Sequence, residues 1–414
     1  MRATTLLNRV FKFTGATVTA VHHVGHGPIT ATVKLTARRK LSCPHCPFTT
    51  TAGYDTRWTE SSWRHLDAAG TPVILKMLRR RLRCPAHGVL VQAVPFARPA
   101  SRFTRDFEDM VAWLVTRTDK TSVSTFIRIA WRTVGAICAR VVGDQLDETR
   151  FEGLVNLGVD GISWRKHHNY LTLVSDHETS TILWGGAGKN AATLDRFFIE
   201  IGPENTASIE AVSMDMGAAF SKSVRTNAPD AVICIDPFHV VQLGTNALEV
   251  VRRDQWQRAR ALPDQSFAKK YKGHRYALLK NPGTLTEKQS ATLDHLREDG
   301  GTLWQGYLLK ESLREIFAGD LSSAEVMAMI QDWCDAATTS GLGPFMKAGA
   351  TLRGHINGIH AAVSRGLSNG KHEGLNNKIR TMTRRSYGFH SPEAALALIM
   401  LACGPVEVRI PYQK

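Results

Sequence analysis

Two short clusters in this chain carry soft metal ligands at close spacing, Cys43-Pro-His-Cys46 and Cys84-Pro-Ala-His87. A CxxC turn sets two thiolates on one side of a tight knuckle, and two knuckles supply four ligands for tetrahedral Zn²⁺. The prolines at the second positions, and Gly88 after the last ligand, suit tight turns. Four protein ligands leave no open position, so Cys43, Cys46, Cys84 and His87 predict one structural Zn²⁺ and no catalysis there. A chance CxxC beside an isolated Cys-His pair is the alternative. A second set of residues is made of hard ligands. Asp160 closes the run LVNLGVD, Asp215 closes AVSMD, and Glu373 opens HEGLNNKIRTMTRR. Carboxylates at the ends of neighbouring strands can share divalent cations, and oxygen ligands favour Mg²⁺ or Mn²⁺. A third acid completes two metal positions of the kind that act at phosphorus. Singly, an Asp at a strand end reads as a turn or cap residue; the weight lies in three acids in that element order. Asp236, with His239 three residues on, and His372 beside Glu373 are either groups near those metals or a strand-end cap and ordinary histidines.

The elements that must position these residues read as a multidomain α/β chain. Residues 1–42 alternate as short β-branched segments, and strand-like runs (GTPVILKMLRRRLRC, GVLVQAVPF) lie between and after the Cys knuckles. We take 1–103 as a zinc-binding, β-rich module. Residues 104–150 turn helical, with helices expected near Asp106–Thr116, Ser122–Ile129 and Arg132–Val142. Thr121 and Ser122 are the N-cap candidates for the second of these. Only a short turn separates the last two, as in a helix-turn-helix, although ordinary helical hairpins share the pattern. Residues 151–237 follow three strands with helix, strand, helix and a fifth strand. Residues 238–350 read as a helical insertion. Residues 351–414 return to a helix bearing Glu373 and a last helix from about Ser391-Pro392, which we place with the catalytic core.

Charge is the compositional anomaly: 52 Lys+Arg against 37 Asp+Glu, formally +15. Counted along the sequence, the net is +13 over residues 1–150, −4 over 151–350 and +6 over 351–414. Such an excess points to a polyanionic partner, foremost nucleic acid. Arg79, Arg80, Arg81 and Arg83 beside Cys84 form a ribbon suited to phosphates, or else a solvated strand edge. Arg128, Arg132 and Arg140 are the helix-turn-helix side chains expected near DNA. Arg165 and Lys166, with Trp164 and two histidines, read as a basic loop after the first strand, or a solvated turn. Lys378, Arg380, Arg384 and Arg385 follow Glu373 on its helix, with Arg380 two turns away on the same face. GGAGKN at 185–190 lacks the spacing of a phosphate loop and reads as a turn before a helix. Seven cysteines with no spacing ladder exclude a secreted disulfide scaffold, and Cys138, Cys234, Cys334 and Cys403 read as buried thiols. No signal-peptide pattern and no run of bilayer length occur, so we expect a soluble protein of a reducing cytosol with no membrane partner.

With CPHC, CPAHG, VDGISWRKHHNYLTLVSD, SMDM, CIDPFHVVQL and SNGKHEGLNNKIRTMTRRSYGF in view, nearly the whole chain resembles bacterial insertion-sequence transposases of the ISL-three family. The resemblance implies a zinc-binding N-terminus, a helix-turn-helix and an RNase H-like core. It also implies Asp160, Asp215 and Glu373 as a DDE triad, with a helical insertion before the helix bearing Glu373. It further implies binding to terminal inverted repeats and Mg²⁺-dependent cleavage and strand transfer on double-stranded DNA, in a dimer or larger complex. One departure is local: similar enzymes often carry Glu after the first Asp, where this chain has Gly161. The rival readings are a DNA-binding regulator without catalysis, and an RNase H-like nuclease that cuts without joining.

Overall fold

A computed structural model describes residues 2–36, 39–165, 169–263, 266–319, 321–367, 370–386 and 388–410, with the backbone alone at 266, 267, 270 and 370–373. The chain divides into two units, residues 1–150 with 381–414, and residues 151–380.

The first unit opens with a helix that the alternating pattern did not suggest, α1 (Ala3–Phe11). Asn8 explains its place: its side-chain amide donates to the Val18 carbonyl and accepts from the Val18 amide, 2.9 and 2.8 Å, tying α1 to the first strand. The strands β1 (Ala16–His22), β2 (Ile29–Leu35), β3 (Leu41–Ser42), β4 (Thr49–Thr50), β5 (Trp58–Ala68), β6 (Thr71–Cys84) and β7 (Gly88–Val91) follow. Five of them form one sheet in the order β1-β2-β6-β5, with β7 against the far half of β6, while β3 and β4 pair apart. Alternation on β6 buries Val73, Leu75 and Met77 against Trp63, Val18, Val33 and Phe96. Three helices come next, α2 (Arg105–Val115), α3 (Lys120–Ile127) and α4 (Trp131–Gln145), close to the predicted helices. The predicted N-cap of α3 is corrected: Asp119, not Thr121 or Ser122, caps it, because its carboxylate accepts from both of their amides.

The second unit starts with β8 (Asn156–Arg165), β9 (Asn169–Asp176) and β10 (Ile182–Ala187), a meander. Then come α5 (Ala191–Ala207), β11 (Ala211–Met214), α6 (Ala218–Asn227) and β12 (Val232–Ile235). The sheet runs β10-β9-β8-β11-β12, antiparallel through β8 and parallel from β8 through β11 to β12. Parallel neighbours need crossovers, and α5 and α6 supply them. Helices α7 (Pro237–Arg260), α8 (Ser266–Gly273), α9 (Arg275–Leu279), α10 (Glu287–Asp299), α11 (Gly301–Ile316), α12 (Ser323–Thr339) and α13 (Gly343–Gly354) then fill the stretch read as a helical insertion, and α14 (Ile356–Arg365), in the stretch placed with the core, packs on β12. One apolar core runs from Leu157, Val212 and Phe197 through Leu248 and Leu313 to Phe345 and Ile359. These helices are therefore packed continuously with the sheet layer.

Helix α15 (Gly370–Arg385) carries Glu373, and α16 (Pro392–Cys403) follows, capped by Ser391 with Pro392 in its first turn. Expected with the catalytic core, α16 instead packs on α4 in the first unit, because its almost uninterrupted apolar surface (Ala395, Leu398, Ile399) needs a helical partner. All seven cysteines are free, and the four outside the knuckles are buried, as their apolar neighbours suggested.

Candidate functional site: two metal-ligand sets and a basic helical module

The Cys knuckles converge. The β3–β4 turn delivers Cys43 and Cys46, and the β6–β7 hairpin, turning at Gly88 with φ of +72°, delivers Cys84 and His87. Their ligand atoms all lie within 4.8 Å of one another. The Sγ atoms of Cys46 and Cys84 are 3.5 Å apart, and His87 Nδ1 is 3.5 Å from Cys84 Sγ and 3.8 Å from Cys43 Sγ. A tetrahedron with Zn–S of about 2.3 Å has edges of roughly 3.8 Å, so the set is sized for zinc. Burial opposes ionisation of Cys84, but hydrogen bonds from the His87 side chain and the His87 and Ala86 amides outweigh it and bring the thiol down to about 6. Cys46 is pushed up instead: the Phe48 amide favours its thiolate, but burial and the adjoining Cys84 and Cys43 sulfurs disfavour it. Crowded thiols of this kind ionise together only around a cation. A small apolar shell of Leu41, Leu82, Phe48 and Leu90 surrounds the sulfurs.

The carboxylates of the second unit are brought level by strand pairing. Gly158 of β8 is the register partner of Ser213 of β11, so two residues further on Asp160 and Asp215 stand at the same height of adjacent parallel strands. The expectation that Asp160 ends its strand is corrected: β8 continues to Arg165, paired with β9, and only the pairing with β11 stops before Asp160. Asp215 does end its strand. Asp160 Oδ1 accepts from the Gly161 amide at 2.7 Å, and its Oδ2 accepts from the Asn376 side chain of α15, also at 2.7 Å. Asp215 Oδ1 accepts from the Gly217 amide, and its Oδ2 is ion-paired with Lys189 Nζ, both at 2.9 Å. Burial opposes the charge on Asp215, yet Lys189, the Gly217 amide and His239 hold its carboxyl below the usual range.

Glu373 lies one helical turn before Asn376 on α15; its side chain, like that of His372, lies outside the described residues. Asp236 is buried and caps α7, accepting from the Phe238 amide at 3.1 Å, with His239 Nε2 3.8 Å from its other oxygen. Sequence reasoning missed Lys189 and Asn376. Lys189 sat in a segment read only as a turn, and Asn376 carried a signal in its place three residues after Glu373.

The basic side chains are placed unevenly. On β6, Arg79 donates to Ser61 and the Gln92 carbonyl, and Arg81 pairs with Asp55, while Arg80 and Arg83 lie over the rings of Trp58 and Tyr54. Arg140 is bound to buried Glu108 at 2.8 Å, and Arg128 is paired with Asp67 and donates to the Gly70 carbonyl. Arg132 is exposed on the first turn of α4. Arg385 donates to the carbonyls of Thr116 and Arg117 at the end of α2, whereas Lys378, Arg380 and Arg384 lie exposed on α15. Trp164 and Arg165 close strand β8, with Trp164 buried, so they are not loop residues; Lys166 and the two histidines after it lie outside the described residues.

Comparisons with known proteins follow the same divisions. A zinc-finger model of the IS204/IS1001/IS1096/IS1165 transposases matches residues 39–87. A model of the helix-turn-helix domain of transposase family ISL3 matches 92–142, and a transposase model of that family matches 157–399. These matches define an insertion-sequence transposase of the DDE class, an enzyme built with a zinc ribbon and a helix-turn-helix. The chain belongs to the ISL3 transposase family. It is 41% identical over 361 residues to the transposase for insertion sequence element IS1557 of Mycobacterium tuberculosis, covering 82% of this chain and 80% of that protein. It is 28% identical over 323 residues to the transposase for element IS1001 of Bordetella parapertussis, covering 78% and 79%.

Proposed function

We propose that the second unit is an RNase H-like core in which Asp160, Asp215 and Glu373 hold two Mg²⁺ or Mn²⁺ ions. On this reading it cleaves DNA at the terminal inverted repeats of its element and joins the freed ends to target DNA. The observation that carries the reading is the level placement of Asp160 and Asp215 on adjacent parallel strands, with Asn376 tying the Glu373 helix to Asp160. The residues fit a divalent cation: oxygen donors at one height, with the Lys189 ammonium on Asp215 as a stand-in positive charge. Bound there, two such ions supply activation of an attacking oxygen and stabilisation of a leaving oxygen at phosphorus. Water is the attacking group in cleavage and a DNA 3′-hydroxyl in joining, so no Ser, Cys or His nucleophile is required.

The rest of the work falls to the chain. Asp236 and His239 brace the end of β12, beside that site. A groove lined by Met216, next to Asp215, and by Lys222 and Arg225 offers positive charge to a DNA backbone. Lys378 and Arg380 add phosphate contacts along the Glu373 helix. The zinc ribbon, holding one structural Zn²⁺, and the helix-turn-helix recognise the repeats. Two ends must be held together for transposition, so the active complex is at least a dimer.

The test is an end-containing DNA duplex with Mg²⁺, comparing the wild type with Asp160→Asn, Asp215→Asn and Glu373→Gln. We expect each substitution to abolish cleavage and joining while end binding persists. Cleavage unchanged in Asp160→Asn defeats the reading, and cutting without joining by the wild type assigns a nuclease instead.

A further inference from the structure

Lys189 is the one cation ion-paired with Asp160 or Asp215 among the described residues, and the fold is shaped around it. The turn that carries it is pinned on both sides. The Gly188 amide donates to the Tyr170 carbonyl, Thr172 Oγ1 donates to the Gly188 carbonyl, and Asn190 caps α5 through the Thr193 amide. Gly188 holds φ at +115°, and a Cβ there would stand 2.4 Å from Thr193 Oγ1, so the turn tolerates little change.

From this anchor the lysine stem crosses Gly161. A Cβ at Gly161 would meet Lys189 Cδ at 2.7 Å, Cε at 2.8 Å and Cγ at 3.1 Å. The position after the first aspartate is thus empty of side chain and covered by a lysine. The ammonium ends 2.9 Å from Asp215 Oδ2, with the Tyr170 and Phe220 rings 5.9 and 6.0 Å away. About a third of the side chain remains exposed, so the head has room to leave.

We propose that Lys189 is a positioning residue that couples metal loading to DNA: it occupies Asp215 in the free protein and transfers to a DNA phosphate when the DNA is bound. This rests on the metal-binding reading of Asp215 given above. An ammonium and a divalent cation compete for one carboxylate, and a phosphate competes with that carboxylate for the ammonium. DNA therefore tightens metal binding, and by linkage the metal tightens DNA binding by the same factor.

Mn²⁺ binding to the zinc-loaded full chain, followed by electron paramagnetic resonance with and without a DNA duplex, tests this without relying on activity. For Lys189→Met, which keeps the stem over Gly161, we expect DNA-free Mn²⁺ affinity to rise roughly ten-fold, as removal of one close positive charge allows. The tightening caused by DNA should shrink toward none, and Lys189→Arg should restore it. Equal Mn²⁺ affinity in wild type and Lys189→Met, with the DNA effect intact in both, overturns the proposal while leaving the metal site standing. Unchanged Mn²⁺ binding in Asp215→Asn overturns both this proposal and the reading beneath it.

Discussion

Acid should unfasten the first unit through a single histidine. His65 of β5 is 5% exposed, packed edge-on against Phe11 and Phe13, with Nδ1 2.8 Å from Thr104 Oγ1. That hydroxyl also accepts from the Phe107 amide as the N-cap of α2, so its proton is available to a neutral imidazole Nδ1. The ring therefore joins the sheet to the first helix of the helix-turn-helix while uncharged. Burial pushes its pKa down to about 4, against a small opposing pull from Asp106. The sign follows from the depression. The unfolded chain takes up the proton near pH 6.5 and the folded chain only near 4, so stability is full above 6.5 and falls as pH drops toward 4. Two and a half units at 1.36 kcal/mol each is about 3 kcal/mol. In a unit of this size that lowers the melting temperature by roughly 6–12 °C. Calorimetry of the full chain from pH 7 to 4, wild type against His65→Gln, reads the effect as a difference in slope. Loss of zinc in acid acts on both proteins, so only His65 separates them. Equal slopes, or a His65 ring that titrates near 6.5 by NMR, would falsify the argument.

Three further perturbations probe other supports. Arg98, with a nearly buried guanidinium, bonds Glu108, Asp109 and Asp144 at 3.3, 2.7 and 2.9 Å, and so ties α2 to α4. Arg98→Met should cost about 3–5 kcal/mol by removing the buried guanidinium shared by Glu108, Asp109 and Asp144, of which Glu108 keeps Arg140, and urea unfolding showing less than about 1 kcal/mol refutes that role. Cys84→Ser should reduce zinc from one ion per chain to none by elemental analysis and lower the first unit's transition alone; unchanged zinc content sinks the Cys₃His assignment. Phe345→Ala, at a fully buried ring, should cost about 3–5 kcal/mol, seen as a downshift of the second unit's transition, and a shift under 1 °C counts against a continuous core between sheet and helices.

Much of this architecture was legible because local pattern and tertiary burial agree. The five strands of the second unit are short apolar runs, their crossover helices are amphipathic, and the Cys spacings converge as knuckles must. What escaped depends on partners distant in sequence. Helix α1 has apolar residues at helical spacing but none of them buried, and its place is set by Asn8 reaching β1. Charge patterning identified Arg128 and Arg140 without showing that Asp67 and Glu108 bind them. Trp164 looked like a loop residue because Asp160 was read as the end of a strand that in fact runs on along β9. Lys189 belongs to a turn by every local criterion, and only the sheet order reveals that the turn faces Asp215.

The sheet order also explains why the acidic middle of a basic chain is needed where it is. Because β11 enters parallel beside β8, two aspartates far apart in sequence stand at one level, an arrangement in which like charges repel. Each of the two receives a donor from elsewhere in the unit, Lys189 on Asp215 and Asn376 on Asp160. The donors differ in kind. A neutral amide orients Asp160, whereas an ammonium offsets the charge on Asp215. Under the proposed coupling, Asp160 is the carboxylate already aimed and Asp215 the one held in reserve, an asymmetry that suits a cation and a polyanion arriving together.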